Sequence, residues 1–124
     1  MRPDLSPQEM ARYRATAQRR SAQRRQLLSA RRQRALVVAQ EAAALLKATY
    51  GVERVICFGS LARTEASSQV SDIDLAVWGL DAQVFYQAVA QLLDLDLTIS
   101  IDLLRGETLP ANLLEVIEAE GALL

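Results

Sequence analysis

Between Ser6 and Gly51 nothing in the chain interrupts a helix. Ser6-Pro7-Gln8-Glu9 has the pattern of a helix start: a hydroxyl able to cap, a proline where a first helical position tolerates its missing N–H, and Glu9 three residues after the cap. From there to Tyr50 no glycine or proline occurs, and Gly51 stands where a left-handed residue can end the run. One helix is expected, or two with a bend near Ser21 or Ser29. Unbroken, it would be roughly 60 Å long at about 1.5 Å per residue. A chain of 124 residues builds about one domain around one core, so such a helix cannot lie on that domain along its whole length.

The helix divides by composition. Up to about Arg34 it is polar on nearly every side, with Met10, Tyr13, Leu27 and Leu28 as scattered apolar positions, whereas Leu36 to Leu46 is apolar almost all round. The expected division is therefore a basic helical arm over 1–34 and a domain over 35–124. Charge follows the same polarity. Residues 1–47 carry eleven arginines and lysines against three acids, a net +8, and the remainder carries three cations against twelve acids, a net −9. Such an arm suits three readings: a solvated helix, docking on the acidic surface of a partner or second copy, and binding to nucleic acid through phosphates. The last is not favoured, because Tyr13 is the arm's one residue for stacking on bases.

With 51% hydrophobic and 23% charged residues, the chain has the composition of a folded globular domain. No apolar run approaches the roughly 18 residues a membrane span needs, and no secretory signal is visible. Cys57 is the single cysteine, which excludes an internal disulfide and favours a reducing compartment, with the cytoplasm as the expected location. The absence of histidine excludes more: there is no imidazole acid or base, no triad of the usual kind and no histidine-ligated zinc. Any catalysis has to run on carboxylates, hydroxyls and cations.

Beyond Gly51 the period changes. Arg54 to Phe58 reads as a buried strand stopped by Gly59-Ser60, and 64–71 as a small polar loop. Asp72 to Trp78 alternates, with Ile73, Leu75 and Val77 on one face and Asp72 and Asp74 on the other. Asp81 can cap a helix through Leu93, and Leu95 to Leu103 alternates as a third strand. A last helix from about Pro110 to Glu120 carries Leu113, Leu114, Val116 and Ile117 inward, with Gly121 closing it. The class is α+β, or mixed α/β, with a small sheet flanked by helices and preceded by the long one. Trp78 and Tyr86 are expected as core or interface filler, and Cys57 as an inert buried thiol.

Asp72 and Asp74 are two apart on a strand, so both side chains share a face with Cα atoms roughly 6–7 Å apart. Most such faces are merely solvated, yet paired carboxylates also suit a hard divalent cation such as Mg²⁺. Gly59-Ser60 at the preceding strand's exit offers backbone amides and a hydroxyl that can meet a phosphate, though an isolated Gly-Ser is more often a plain strand exit. Arg63 is one of three cations after Lys47 and can contact phosphate oxygens. An antiparallel pairing of the first two strands would bring cradle and carboxylates together.

Phe58-Gly59-Ser60-Leu61-Ala62-Arg63, with eleven residues between Ser60 and the run Asp72-Ile73-Asp74-Leu75-Ala76-Val77, resembles the Gly-Ser … Asp-x-Asp signature of the DNA polymerase β-like nucleotidyltransferases. More narrowly, the chain resembles the minimal nucleotidyltransferases that act as antitoxins beside HEPN-type ribonuclease toxins. The likeness covers Val55 to Gly121, with a Gly-Ser to Asp spacer slightly longer than the commonest form. It implies a small mixed sheet flanked by helices, Mg²⁺, and ATP as the substrate. It also implies transfer of AMP to a hydroxyl, in the antitoxin branch a tyrosine of the HEPN toxin. The implied roles are Asp72 and Asp74 holding metal while Gly59, Ser60 and Arg63 position the triphosphate.

The family further needs a third carboxylate on the next strand, to bind metal and assist the incoming hydroxyl. Asp96 and Asp102 lie on the same face of the expected strand and roughly 20 Å apart, so both cannot serve one site. If that strand ran antiparallel to the Asp72 strand, Asp102 would meet it. Ile101-Asp102-Leu103, with Gly121 nineteen positions on, also resembles the family's closing segment. Asp94 and Asp96 then remain as solvated face or as contacts for basic residues. The alternative function is a non-catalytic antitoxin or adaptor that neutralises its partner by binding, with the basic helix as a clamp. Transfer to a small molecule or an RNA end is weaker, because little chain is left to build a second substrate pocket.

Overall fold

The computed structural model describes residues 5–63 and 72–124. The expected loop over 64–71 lies outside them. The helix at the N-terminus, α1 (Pro7–Tyr50), is one continuous element of 44 residues. Ser6 caps it by accepting from the Glu9 amide at 3.1 Å, and Gly51 ends it in the left-handed region at φ 65°. The strands β1 (Arg54–Phe58) and β2 (Asp72–Trp78) follow, then α2 (Phe85–Leu93), β3 (Ser100–Arg105), α3 (Ala111–Glu120) and a two-residue strand, β4 (Ala122–Leu123).

The sheet order is β3-β2-β1-β4. β1 pairs antiparallel with β2 and with β4, while β2 and β3 run parallel, joined through α2. One face packs the C-terminal half of α1 and α2 against Val55, Cys57, Ile73, Leu75, Val77, Ile101 and Leu103. The other face packs Ile56 and Ala76 against Ile117 of α3. No helix among the described residues is long and apolar enough to cross a membrane.

Burial on α1 begins at Ala35 and continues at Val38, Ala39, Ala42, Ala43 and Leu46, the three-to-four spacing of one helical stripe. A stripe is all that a flat sheet can cover. Leu36 and Val37 are therefore exposed, although the stretch is apolar almost all round. Since β1 runs back alongside the helix that precedes it, the residues before about Arg32 extend past the end of the sheet at which β1 stops. Those from Pro7 to Arg31 span roughly 37 Å at about 1.5 Å per residue. Tyr13 and Leu27 on this segment are exposed.

Three expectations change. Residues 95–99 are not strand: Asp96 accepts from the Thr98 amide and hydroxyl at 2.8 and 2.6 Å, closing a local turn that leaves Leu97 90% exposed. Val116 points outward on α3, where Ile117 alone is fully buried. Tyr86 is exposed, whereas Trp78 is half-buried under the Arg54 guanidinium, which stands 4.5 Å from its ring centroid. Cys57 is buried as expected; burial first, and then the charge of Asp74, push its thiol up to about 11.

The two halves of α1 are distinguishable by truncation. Leu46→Ala removes a fully buried side chain between helix and sheet and is expected to cost about 3 kcal/mol in chemical denaturation. Leu27→Ala, on the exposed segment, is expected to change stability by less than about 0.5 kcal/mol.

Candidate active site

The turn that leaves β1 decides what the site can hold. Phe58 pairs with Asp74 in the antiparallel register, so the chain enters Gly59 directly beside that carboxylate. Gly59 adopts φ 74°, and a Cβ there would collide with Oδ2 of Asp74. Glycine is required at this point twice over, for its backbone conformation and for the close approach. Gly59–Leu61 forms a single 3₁₀ turn, closed by the Ala62 amide donating to the Gly59 carbonyl at 3.2 Å and anchored by the buried Leu61.

Asp74 also has a neighbour on its other side. The parallel register of β2 and β3 sets Asp74 opposite Asp102 and Asp72 opposite Ser100. Asp72, Asp74 and Asp102 thus share the face of the sheet opposite the α1 layer, at the end where β2 and β3 begin and β1 stops. Asp102 is reached by a parallel pairing and not through the antiparallel direction considered above, because β3 starts at Ser100 and places Asp102 only two residues in. Asp96 is engaged elsewhere: Thr98 and, at 2.9 Å, the Arg34 Nε hold its carboxyl well below the usual range, at about 2.

Burial raises the Asp74 carboxyl above the ordinary carboxylate range, and the negative charges of Asp102 and Asp72, with a hydrogen bond to the Asp102 side chain, raise it further. Among the described residues no three His, Cys, Asp or Glu side chains form a ready-made cage for an ion. Asp74 and Asp102 are the close pair, and Asp72 acts on Asp74 through its charge. The donor set nonetheless fits a hard divalent cation: it is all oxygen, and its carboxylates repel one another until a cation or a proton intervenes. An open cavity of about 420 Å³ adjoins the pair, lined on its apolar side by Phe58, Phe85, Tyr86 and Val89.

The geometry therefore joins Gly59 and Ser60 to Asp72, Asp74 and Asp102 at one end of the sheet, with Arg63 exposed two residues past the turn. A family model of polymerase beta nucleotidyltransferases matches residues 40–124. This chain belongs to that family. A solved minimal nucleotidyltransferase is similar at 30% identity over 81% of this chain and 95% of the other, with a TM-score of 0.52. Two structures under 25% identity share the nucleotidyltransferase fold. One is a tri-AMPylated Shewanella oneidensis HEPN toxin in complex with MNT antitoxin, at 20% identity over 72% and 70% of the two chains and a TM-score of 0.53. The other is a toxin–antitoxin structure with AMP-PNP, at 21% identity over 68% and 70% and a TM-score of 0.57. No curated protein matches the chain.

One residue of this nucleotidyltransferase escaped the sequence reading. Arg32 of α1 donates to the main-chain carbonyls of Ser60, Leu61 and Arg63, at 3.4 and 2.8 Å for the first two. Within an arginine-rich stretch nothing in composition singles it out. Its place three residues before Ala35, where the buried stripe begins, is the one available signal.

Linkage fixes the sign of the site's effect on stability. A carboxyl whose folded pKa is raised binds its proton more tightly in the native state, so the native state loses stability as pH rises from the unfolded value through the raised one. In metal-free buffer at neutral pH, Asp74→Asn is therefore expected to raise the melting midpoint by a few degrees. Added Mg²⁺ is expected to raise the wild-type midpoint and to leave that of the variant nearly unmoved, as thermal melts in EDTA and in Mg²⁺ would read.

Proposed function

We propose that this chain is a metal-dependent nucleotidyltransferase that transfers AMP from ATP to a hydroxyl, a tyrosine of a cognate HEPN ribonuclease toxin, and so acts in the cytoplasm as the antitoxin of a toxin–antitoxin pair. The observation that carries the reading is the seating of Gly59 against Asp74, with Asp102 across the strand from Asp74. A phosphate-sized turn and an oxygen-rich cation site then adjoin. Membership of the nucleotidyltransferase family supports the reaction class, and the likeness to MNT–HEPN complexes supports the partner. The domain extends over 35–124, with 1–34 as a basic arm.

Asp72, Asp74 and Asp102 would hold Mg²⁺, which when bound neutralises phosphate charge and favours ionisation of a nearby hydroxyl. The amides of Gly59 and Ser60 and the Ser60 hydroxyl bind triphosphate oxygens, and Arg63 adds charge-assisted contacts. Asp102 accepts the proton of the incoming hydroxyl. The hydroxyl oxygen then bonds to the α-phosphorus in line as the bond to the bridging oxygen breaks, and pyrophosphate leaves. A second reading, inhibition by binding alone, draws on the exposed arginines of the arm.

The test is incubation of the chain with Mg²⁺ and α-labelled ATP, with and without its candidate HEPN toxin, followed by intact mass measurement of both proteins. Gain of whole adenylate units on the toxin is expected. Asp72→Asn is expected to reduce that transfer by at least about a hundredfold, the scale on which losing one electrostatic element of a phosphoryl-transfer site acts. A toxin inhibited without gaining mass would instead establish the binding reading.

A further inference from the structure

We infer that Arg32 is a positioning residue for the nucleotide turn, holding the main chain of residues 60–63 from α1 so that Gly59 stays seated against Asp74. This rests on the reading of Gly59 and Ser60 as the triphosphate cradle.

Among the described residues the turn has few other hydrogen bonds. Within itself it makes one hydrogen bond, from the Ala62 amide to the Gly59 carbonyl, and Leu61 anchors it in the core. Gly59, without a side chain, supplies no further hold. A glycine that approaches a carboxylate this closely can move away as readily as it came, because no Cβ locks its backbone. Arg32 supplies the missing constraint. A guanidinium is planar and always charged, and its five N–H donors diverge in a fixed fork. Here that fork meets three carbonyls, those of Ser60, Leu61 and Arg63, from a residue 28 to 31 positions earlier in the chain.

Peptide planarity extends the consequence to the amides. A carbonyl directed at α1 sends the N–H of the following residue the opposite way. The grip on the carbonyls of Ser60 and Leu61 thus fixes the Ser60–Leu61 and Leu61–Ala62 peptide planes, which directly follow the Gly59 and Ser60 amides of the cradle and limit how far these can move. The turn is held between a cation of the helix on one side and the Asp74 carboxylate on the other. A lysine offers a point charge on a flexible stem and cannot reproduce a three-carbonyl fork. Arg32 touches no substrate on this reading; it acts through the main chain of Ser60 and Arg63.

The decisive measurement is the dissociation constant of Mg·ATP by titration calorimetry on the full chain, with a thermal melt of each protein. Arg32→Ala is expected to weaken binding about tenfold. Arg32→Lys is expected to recover part of the loss while remaining several-fold weaker than wild type. Arg14→Ala, far along the same helix and exposed, is expected to bind as wild type does. An R32A variant with a lowered melting midpoint and wild-type affinity would overturn the inference, leaving only a structural staple. Should R32A fail to fold, R32K decides: affinity equal to wild type overturns the fork. A wild-type chain that binds no nucleotide would overturn the cradle reading, and the role of Arg32 with it. Wild-type binding matched by R32A would overturn the role of Arg32 alone.

Discussion

Carboxylates on neighbouring strands repel, and at neutral pH the pairing of β2 with β3 holds Asp74 and Asp102 side by side regardless. The rest of the structure can be understood from how that arrangement is sustained. On the opposite face of the same strands lie Ile73, Leu75, Ile101 and Leu103, all buried against α1 and α2. Period-two alternation means that the residues seating the strands in the core are the immediate neighbours of the residues that repel. Sliding either strand to relieve the charges would bring its apolar set out of the core. The register is therefore fixed by hydrophobic burial and the electrostatic strain is tolerated. Asp74 accommodates it by a raised affinity for protons.

α1 supplies the other half of that stability and reaches the site by two further contacts. Its buried stripe is rich in alanine, which lets the helix lie close to the sheet. Just upstream of the stripe, Arg34 meets Asp96 and Arg32 meets the turn after β1. The first contact pins the segment before β3, and the second pins the segment after β1. Both segments flank the carboxylates. One helix thus connects the two ends of the site, which a helix beginning at Ala35 could not do.

Much of this was legible because alternation and helix capping are local signals. Ser6, Pro7 and Gly51 bound α1 where their chemistry demands, and the alternation of residues 72–78 assigns each carboxylate to a face. The failures share a different cause. At 95–99 the alternation is that of a strand, but the Asp96 side chain captures the backbone of Thr98 and a turn prevails, so Leu97 is solvated. Whether β3 runs parallel or antiparallel to β2 is a property of the connection and the sheet edge, and alternation is silent about it. β4, two residues long, is too short to carry a period, and it exists because β1 offers it an unpaired edge. Asp102 lies beside Asp74 in the parallel pairing because the strand starts late, at Ser100.

The position of the arm gives its charge a range. Along a helix rising about 1.5 Å per residue, Arg24 and Arg25 stand roughly 10–12 Å from Arg32, and Arg12 and Arg14 roughly 27–30 Å. Screening at physiological ionic strength acts over about 8 Å. The nearer arginines therefore lie at the edge of what a nucleotide beside Gly59 could sense, next to a domain whose excess of acids would repel a triphosphate. Arg12 and Arg14 lie well beyond it. Charge placed there is of little use to the site itself and can be read only by something large enough to touch both the arm and the mouth of the site. On the proposed function, an acidic toxin surface that presents the acceptor hydroxyl would meet that requirement, and the exposed Tyr13 and Leu27 between the arginines would offer it apolar contacts.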